Sequence, residues 1–294
     1  MPELPDLTVY LEHLERRISD RALTGIRISS PFLLRTVSPT VDEVVNRRVA
    51  GLRRMAKQLV IELEGEIFLV LHLMISGRLQ WGPAGAAVPK RIGLAAFDFE
   101  SGTLLFTEVS KKKRASLRLV QGRTALAELD PGGLEVFDID LQTFRRQLAD
   151  SNHTLKRALT DQHVFAGIGN AYSDEILLRA RLSPFQRPVN LSAQESERLH
   201  TACRDVLEEW TQRLRNQVGD EFPRKVTAFH PEMAVHGRFR QPCPVCGSPV
   251  QRIVYAENES NYCAKCQTDG RLLADRSLSR LLKANWPKRL EDLE

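Results

Sequence analysis

Four of the chain's five cysteines form two close pairs, Cys243-x2-Cys246 and Cys263-x2-Cys266, separated by 16 residues. Two thiolates on each of two turns can meet one ion tetrahedrally at about 2.3 Å, leaving no position open for water. The spacing therefore predicts a single structural zinc ion and not a disulfide framework. At the other end of the chain the second and third residues are Pro2 and Glu3. If Met1 is removed, Pro2 offers a secondary amine with a reference pKa near 8, partly neutral at physiological pH. Such an amine can attack a sugar carbon and form an iminium, and Glu3 beside it could give general acid–base help. A third cluster, Gly167-Ile168-Gly169-Asn170, precedes a helical pattern. Amides at a helix N-terminus bind phosphate well, and glycines allow close approach; Asn170 could equally be a helix cap.

These groups need elements to position them. Leu7, Leu11, Leu14 and Ile18 recur at helical spacing, with Asp6 as the expected cap. Strand patterns follow at residues 58–63, 67–75, 94–100, 103–109 and 116–120, and the run at 67–75 is apolar on both parities, as in a strand covered on two faces. Lys57 shares parity with Leu59, Ile61 and Leu63. It either snorkels out of a core or points into a cleft, and the cleft is favoured. His72, inside an apolar strand, reads as structural. Asp130-Pro131-Gly132-Gly133 breaks the pattern, and helices are expected from near Leu141, near Asn152 and after Gly169. A longer helix follows the capping box Ser192-x-x-Glu195. Its apolar stripe, from Leu199 to Leu214, contains the fifth cysteine, Cys203, as a buried structural thiol. Val250 to Tyr255 reads as a strand and residues 256–259 as a turn, so the metal would staple a hairpin too small to fold alone.

The chain has 294 residues, 42% hydrophobic and 27% charged, which excludes a disordered or collagen-like protein. The apolar run at 67–75 is about half a membrane span, and the first residues lack a secretory pattern, so a cytoplasmic protein without a membrane partner is expected. The net charge of +5 and pI near 9.0 hint at a polyanionic partner without requiring one.

MPELP at the start, His72-Leu73-x-x-Ser76-Gly77-Arg78-Leu79, Gly167-Ile168-Gly169-Asn170-x-Tyr172-x-Asp174-Glu175, and the four-cysteine hairpin occur in that order. Together they resemble the formamidopyrimidine-DNA glycosylase/endonuclease VIII family of helix–two-turn–helix glycosylases. The resemblance runs from residue 2 to about 268 and implies an α+β multidomain protein. Its parts would be an N-terminal β-sandwich with a leading helix (1–123), a hinge (124–140), a helix–two-turn–helix domain (141–235), a zinc finger (236–270) and a tail (271–294). It implies a monomer acting on damaged double-stranded DNA, with one zinc ion and no organic cofactor. A flipped-out base is excised and the strand is cut by elimination through a Schiff base. Pro2 would be the nucleophile, Glu3 the acid–base partner and Lys57 the family's lysine on the strand ahead of the His72-to-Leu79 motif. Lys156 and Asn170 would contact the DNA backbone, which positions the protein without reading sequence.

Three departures fall on residues expected to touch DNA. The hairpin arginine of the family is replaced by Asn258, between Glu257 and Glu259, so Arg252 is the candidate substitute. In the wedge loop Met74 stands at a glycine position and Ile75 at a methionine position, giving a stiffer, shorter wedge. The arginine–phenylalanine pair that completes the wedge is replaced by the basic run Lys111, Lys112, Lys113 and Arg114. Arg78, next to the wedge, is a further DNA-contact candidate. Leu272, Leu273, Leu278, Leu281 and Leu282 suggest an amphipathic tail helix packed on the body. The leading expectation is a DNA glycosylase with AP lyase activity; the alternatives are a non-catalytic binder of damaged DNA and a zinc-ribbon module binding RNA or protein.

Overall fold

The computed structural model describes residues 1–224, 230–255, 258–274, 276–282 and 287–293. The chain divides into two compact units, Met1–Pro131 with Trp210–Thr227 and Gly132–Glu209 with Ala228–Glu294.

The first unit opens with α1 (Leu4–Ile18). Its cap is Glu3, one turn earlier than the expected Asp6. Pro5 lacks an amide hydrogen and is tolerated only in a first turn, so the helix begins before it. Asp6 is then the third helical residue, and its carboxylate accepts the Glu3 N–H at 2.8 Å in a reciprocal capping box. After α1 come β1 (Leu23–Ile28), α2 (Val41–Val44), β2 (Val49–Met55), β3 (Gln58–Leu63), β4 (Ile67–His72) and β5 (Gly77–Gly82). Then follow β6 (Gly93–Phe99), β7 (Gly102–Glu108), β8 (Ser116–Gln121) and α3 (Arg123–Ala127).

Two antiparallel sheets result, ordered β1-β6-β7-β5 and β2-β3-β4-β8. Leu59, Ile61, Leu69, Leu71 and Leu117 of one sheet meet Leu79, Phe97, Leu104 and Phe106 of the other in one core. Leu7, Tyr10, Leu14 and Ile18 of α1 join it. The two-parity apolar pattern of β4 has a physical reason: Phe68 and Val70 face the opposite way, against Leu126 of α3. The strands β1, β2 and β5 were not legible as strands, because polar and glycine residues interrupt them and their burial alternates weakly.

The second unit contains α4 (Leu141–Ala149), α5 (Leu155–Thr160), α6 (Asn170–Ala180) and most of α7 (Ala193–Val218). The Ser192 capping box of α7 forms as expected, with the Ser192 N–H donating to Glu195 at 2.8 Å and the Glu195 N–H to Ser192 at 3.2 Å. Cys203 is fully buried. The unit closes with the hairpin β9 (Gln251–Tyr255) and β10 (Asn258–Tyr262), then α8 (Ala264–Thr268) and α9 (Arg276–Leu282). Asn258 and Glu259 belong to β10 and not to a turn, Asn258 pairing with Tyr255; Ala256 and Glu257 lie outside the described residues.

The tail differs from expectation. Leu272 and Leu273 are buried with Ile253, Tyr262 and Ala264, but in non-helical backbone ahead of α9. The helix leaves Leu281 76% exposed, so it presents no packed apolar face there. The side chain of Leu278 lies outside the described residues. Two adjacent leucines cannot share one helical stripe, and the non-helical pair took the available core.

The turn from Leu73 to Gly77 joins the two sheets. Its closing amide, Gly77 N–H, donates to the Leu73 carbonyl at 2.9 Å. A Cβ at Gly77 would lie 2.2 Å from that same oxygen. Gly77→Ala is therefore expected to lower the stability of the first unit by about 1–3 kcal/mol, read from urea denaturation; an unchanged midpoint would mean that the turn opens freely.

Candidate active site and phosphate-binding surface

On the first unit the charged groups gather where α1 begins. Pro2 is buried, Glu3 is 2% exposed and Lys57, in the turn before β3, is 9% exposed. Burial holds the Met1 α-amine below its usual pKa of 8.0; Arg78 and Lys57 push the same way, against Glu3 and Asp6. The residues expected to carry chemistry, Pro2, Glu3 and Lys57, thus share one electrostatic environment, with Arg78 beside them. Asp6 was not singled out for chemistry. Burial, supported by Glu3, pushes its pKa up to about 7 against the Glu3 N–H bond.

The wedge loop follows. Met74 adopts φ +52°, a left-handed conformation in which glycine is more comfortable, and Ile75 is 54% exposed. The Arg78 guanidinium donates to the Gly77 carbonyl at 2.6 Å and to the Ile75 carbonyl at 3.2 Å, so it braces the loop it follows. Glu108, buried and unforeseen, accepts from the Ser76 hydroxyl at 3.0 Å, the Arg114 N–H at 2.9 Å and the Ala115 N–H at 3.1 Å. It ties the wedge loop to the basic run. Within that run Lys111, Lys112 and Arg114 are exposed, while the Lys113 ammonium donates to the Glu108 carbonyl.

His72 is structural. Its Nδ1 accepts the Met74 N–H at 3.0 Å, which requires a neutral ring. Burial, aided by Lys57 and Arg118, lowers its pKa to about 4.

On the second unit, Gly169 caps α6 and Asn170 is its first residue, so Asn170 is not the cap. Gly167, at φ +82°, turns the chain into the helix, and Gln162 pins the turn by accepting the Gly167 N–H at 2.9 Å and donating to Ile168 at 2.8 Å. The Lys156 ammonium donates to Asp174 at 2.5 Å and to the Asn170 carbonyl at 2.6 Å. Arg252 lies 4.5 Å from the Phe239 ring and 3.7 Å from Glu259. The side chain of Asn258 lies outside the described residues. Asp174, Glu175, His236 and Asn261 were not given roles from the sequence, although Asp174 and Glu175 close the helix motif and could have been noticed as acids on an otherwise buried face.

The four cysteine sulfurs all lie within 4.8 Å of one another. Tetrahedral thiolates at about 2.3 Å from zinc are separated by about 3.8 Å, so the donor set fits that ion. Among the described residues no helix is long and apolar enough to cross a membrane.

A model of the formamidopyrimidine-DNA glycosylase N-terminal domain matches residues 1–124, and a model of the helix–two-turn–helix domain of the same enzymes matches 132–218. A zinc finger found in these glycosylases and in isoleucyl-tRNA synthetase matches 240–268. The chain is 31% identical to the formamidopyrimidine-DNA glycosylase of Chloroflexus aurantiacus over 91% of its own length and 98% of the relative's. It is 32% identical to that of Thermus thermophilus, over 92% and 100%. The chain belongs to the formamidopyrimidine-DNA glycosylase family. A solved structure of the Lactococcus lactis family member, in complex with DNA containing an abasic site, superposes with TM-score 0.78 at 25% identity, covering 90% of this chain and 99% of that one. The family's zinc finger spans Cys243, Cys246, Cys263 and Cys266, which hold one structural zinc ion.

Two outcomes follow from this geometry. Chelation of zinc, or Cys263→Ser, should abolish the one-to-one metal content and open the hairpin, seen as loss of amide protection on β9 and β10 while β3 and β4 stay protected. Protection of the hairpin without metal would refute a zinc staple. For His72, the native pKa near 4 lies below the unfolded value near 6.5. Its neutral ring stabilises the fold above pH 6.5, and that contribution is lost as pH falls from 6.5 to 4. It amounts to on the order of 3 kcal/mol. Asp6 acts in the opposite sense over an overlapping range but is common to both proteins when His72→Gln is compared with wild type. The stability advantage of wild type over His72→Gln should therefore shrink on acidification; a constant difference in denaturation midpoint would contradict it.

Proposed function

We propose that this chain is a DNA glycosylase of base-excision repair with an associated AP lyase activity, acting on damaged double-stranded DNA. The observation that carries this reading is the burial of Pro2 and Glu3 at the first turn of α1, where the Met1 amine one residue ahead is held below its usual pKa by burial and feels the charges of Glu3, Arg78, Asp6 and Lys57. A Pro2 amine bared in the same buried turn would be desolvated in the same way, which favours the neutral form, and only the neutral form is nucleophilic.

Once Met1 is removed, the Pro2 nitrogen attacks C1′ of the damaged nucleotide, and the bond from C1′ to the base breaks with its electron pair leaving on the base, which is then protonated. Opening of the C1′–O4′ bond converts the adduct to an iminium, and Glu3 is the group to supply the proton to O4′. Loss of a C2′ proton then expels the 3′ phosphate and cuts the strand. Water hydrolyses the remaining iminium and regenerates the amine. Lys57 lies close enough for its charge to act on the Met1 amine, one residue ahead of Pro2, which suits a role beside the departing phosphate or base.

Met74, Ile75 and the exposed members of the 111–114 run present an apolar tip and cations from one braced loop pair, a combination that fits a wedge and a phosphate contact. Similar proteins have been solved bound to damaged DNA, among them one with DNA containing an abasic site and one with DNA containing carbocyclic 8-oxo-G.

Borohydride trapping on an abasic-site duplex tests the chemistry. The wild-type chain should give a covalent adduct whose intact mass lacks Met1, and Pro2→Gly should lower the yield by at least about tenfold, since the secondary amine is lost. Tight duplex binding without any adduct would instead support a non-catalytic binder.

A further inference from the structure

On the second unit one buried carboxylate gathers more donors than any role described so far uses. Asp174 is 1% exposed. One of its oxygens accepts from Lys156 at 2.5 Å and from the Ser260 hydroxyl at 3.3 Å. The other accepts from His236 Nδ1 at 2.8 Å, the Asn261 N–H at 3.1 Å and the Asn261 side-chain amide at 3.3 Å. Five donors fill the acceptor sites of a carboxylate. Burial alone would raise its pKa, yet Lys156 and His236 hold it below the usual carboxylate value, so it stays charged at neutral pH. The next residue, Glu175, accepts the main-chain N–H groups of Ala234, Val235 and His236 at 2.8, 2.9 and 3.0 Å.

The partners come from three places: α5, the segment leading into the zinc hairpin, and β10 of the hairpin itself. Asn261 carries the network further. Its amide also donates to Glu259 at 3.0 Å, and Glu259 faces Arg252. Two carboxylates thus dictate the orientation of this amide so firmly that its Oδ1, buried, is left with no hydrogen-bond partner.

Lys156 is the consequence that matters. An ammonium has three hydrogens; Asp174 and the Asn170 carbonyl take two, and the side chain is 11% exposed. A single N–H remains, and its direction is set by the other two. We propose that Asp174 is the positioning residue of a phosphate-binding surface on this unit: it aims the last Lys156 hydrogen and fixes β10 against α6, without itself touching nucleic acid. This inference rests on the DNA-binding reading above.

Electrostatics alone predicts the opposite effect of neutralising Asp174. Removing an anion beside a phosphate-binding lysine would tighten binding, whereas losing the positioning loosens it. Asp174→Asn keeps the shape but turns an NH2 group towards either Lys156 and Ser260 or His236 and Asn261, so one set must separate. Binding to a duplex with a tetrahydrofuran abasic analogue, which cannot form the Schiff base, separates the cases. With zinc content still one per chain, Asp174→Asn should bind roughly tenfold more weakly at 0.1 M salt, the size of one lost phosphate contact, with a salt slope shallower by about one. Lys156→Met should do the same, and the double variant should lose less than the product of the two, because both act on one constellation. Asn261→Ala, which leaves the Lys156–Asp174 pair in place, should also weaken binding and serves if Asp174→Asn does not fold. Unchanged or tighter binding by these variants, or strict additivity, overturns the proposal. Failure of the wild-type chain to bind the duplex would instead overturn the DNA-binding reading itself.

Discussion

The chemistry proposed for this protein depends on where the first helical turn is buried. Leu7 and Tyr10 are inserted into the sandwich core and Leu4 is buried ahead of them, so the residues just before them have no freedom to stay in water. Glu3 must cap the helix and Asp6 must return the hydrogen bond. The amine is drawn into low dielectric together with two acids and two cations. Desolvation disfavours its charged form, so the packing that stabilises the helix also favours the neutral amine that the proposed chemistry requires once Pro2 is bared. A free, solvated N-terminus with the same residues would have neither the lowered pKa nor a fixed direction of attack.

The second unit solves a different problem. Its hairpin is too short to carry a core, and it is held from two sides. Zinc ties its base through four thiolates, while Asp174 and Glu175 bind its strand and the segment leading to it through charged acceptors. Burying two carboxylates is costly unless every lone pair finds a donor. Here the donors are main-chain amides, a lysine, a histidine, a serine hydroxyl and an asparagine amide, so the cost is offset by contacts that also fix geometry. Glu108 does a similar service on the first unit, where a buried carboxylate joins the wedge loop to the basic run.

Much of this was legible before any coordinates. The cysteine spacing foretold a four-thiolate cluster, the Ser192 capping box formed as written, and the doubly apolar β4 proved to be covered on two faces. Other readings failed for identifiable reasons. The cap of α1 lies at Glu3 because Pro5 forces an earlier start. Leu272 and Leu273 pack beside Tyr262 from non-helical backbone, because two adjacent leucines cannot share one helical stripe. Asn170 was legible as the start of a helix but not as its first residue, since Gly169 can serve as a cap without any side-chain signal.

Patterns that are local in the chain were determined by the sequence alone: ligand spacing, capping boxes, hydrophobic periodicity and the order of four motifs that marks the family. Each needs only a few neighbouring residues, so each survives in a linear reading. Only the tertiary structure decided which groups share an environment. That Lys57 and Arg78 lie by the amine, that Glu108 holds two loops, and that Asp174 collects donors from Lys156 to Asn261 are facts about residues distant in sequence. Charges and hydrogen bonds act through a few ångströms of space, and no spacing rule along the chain encodes that distance.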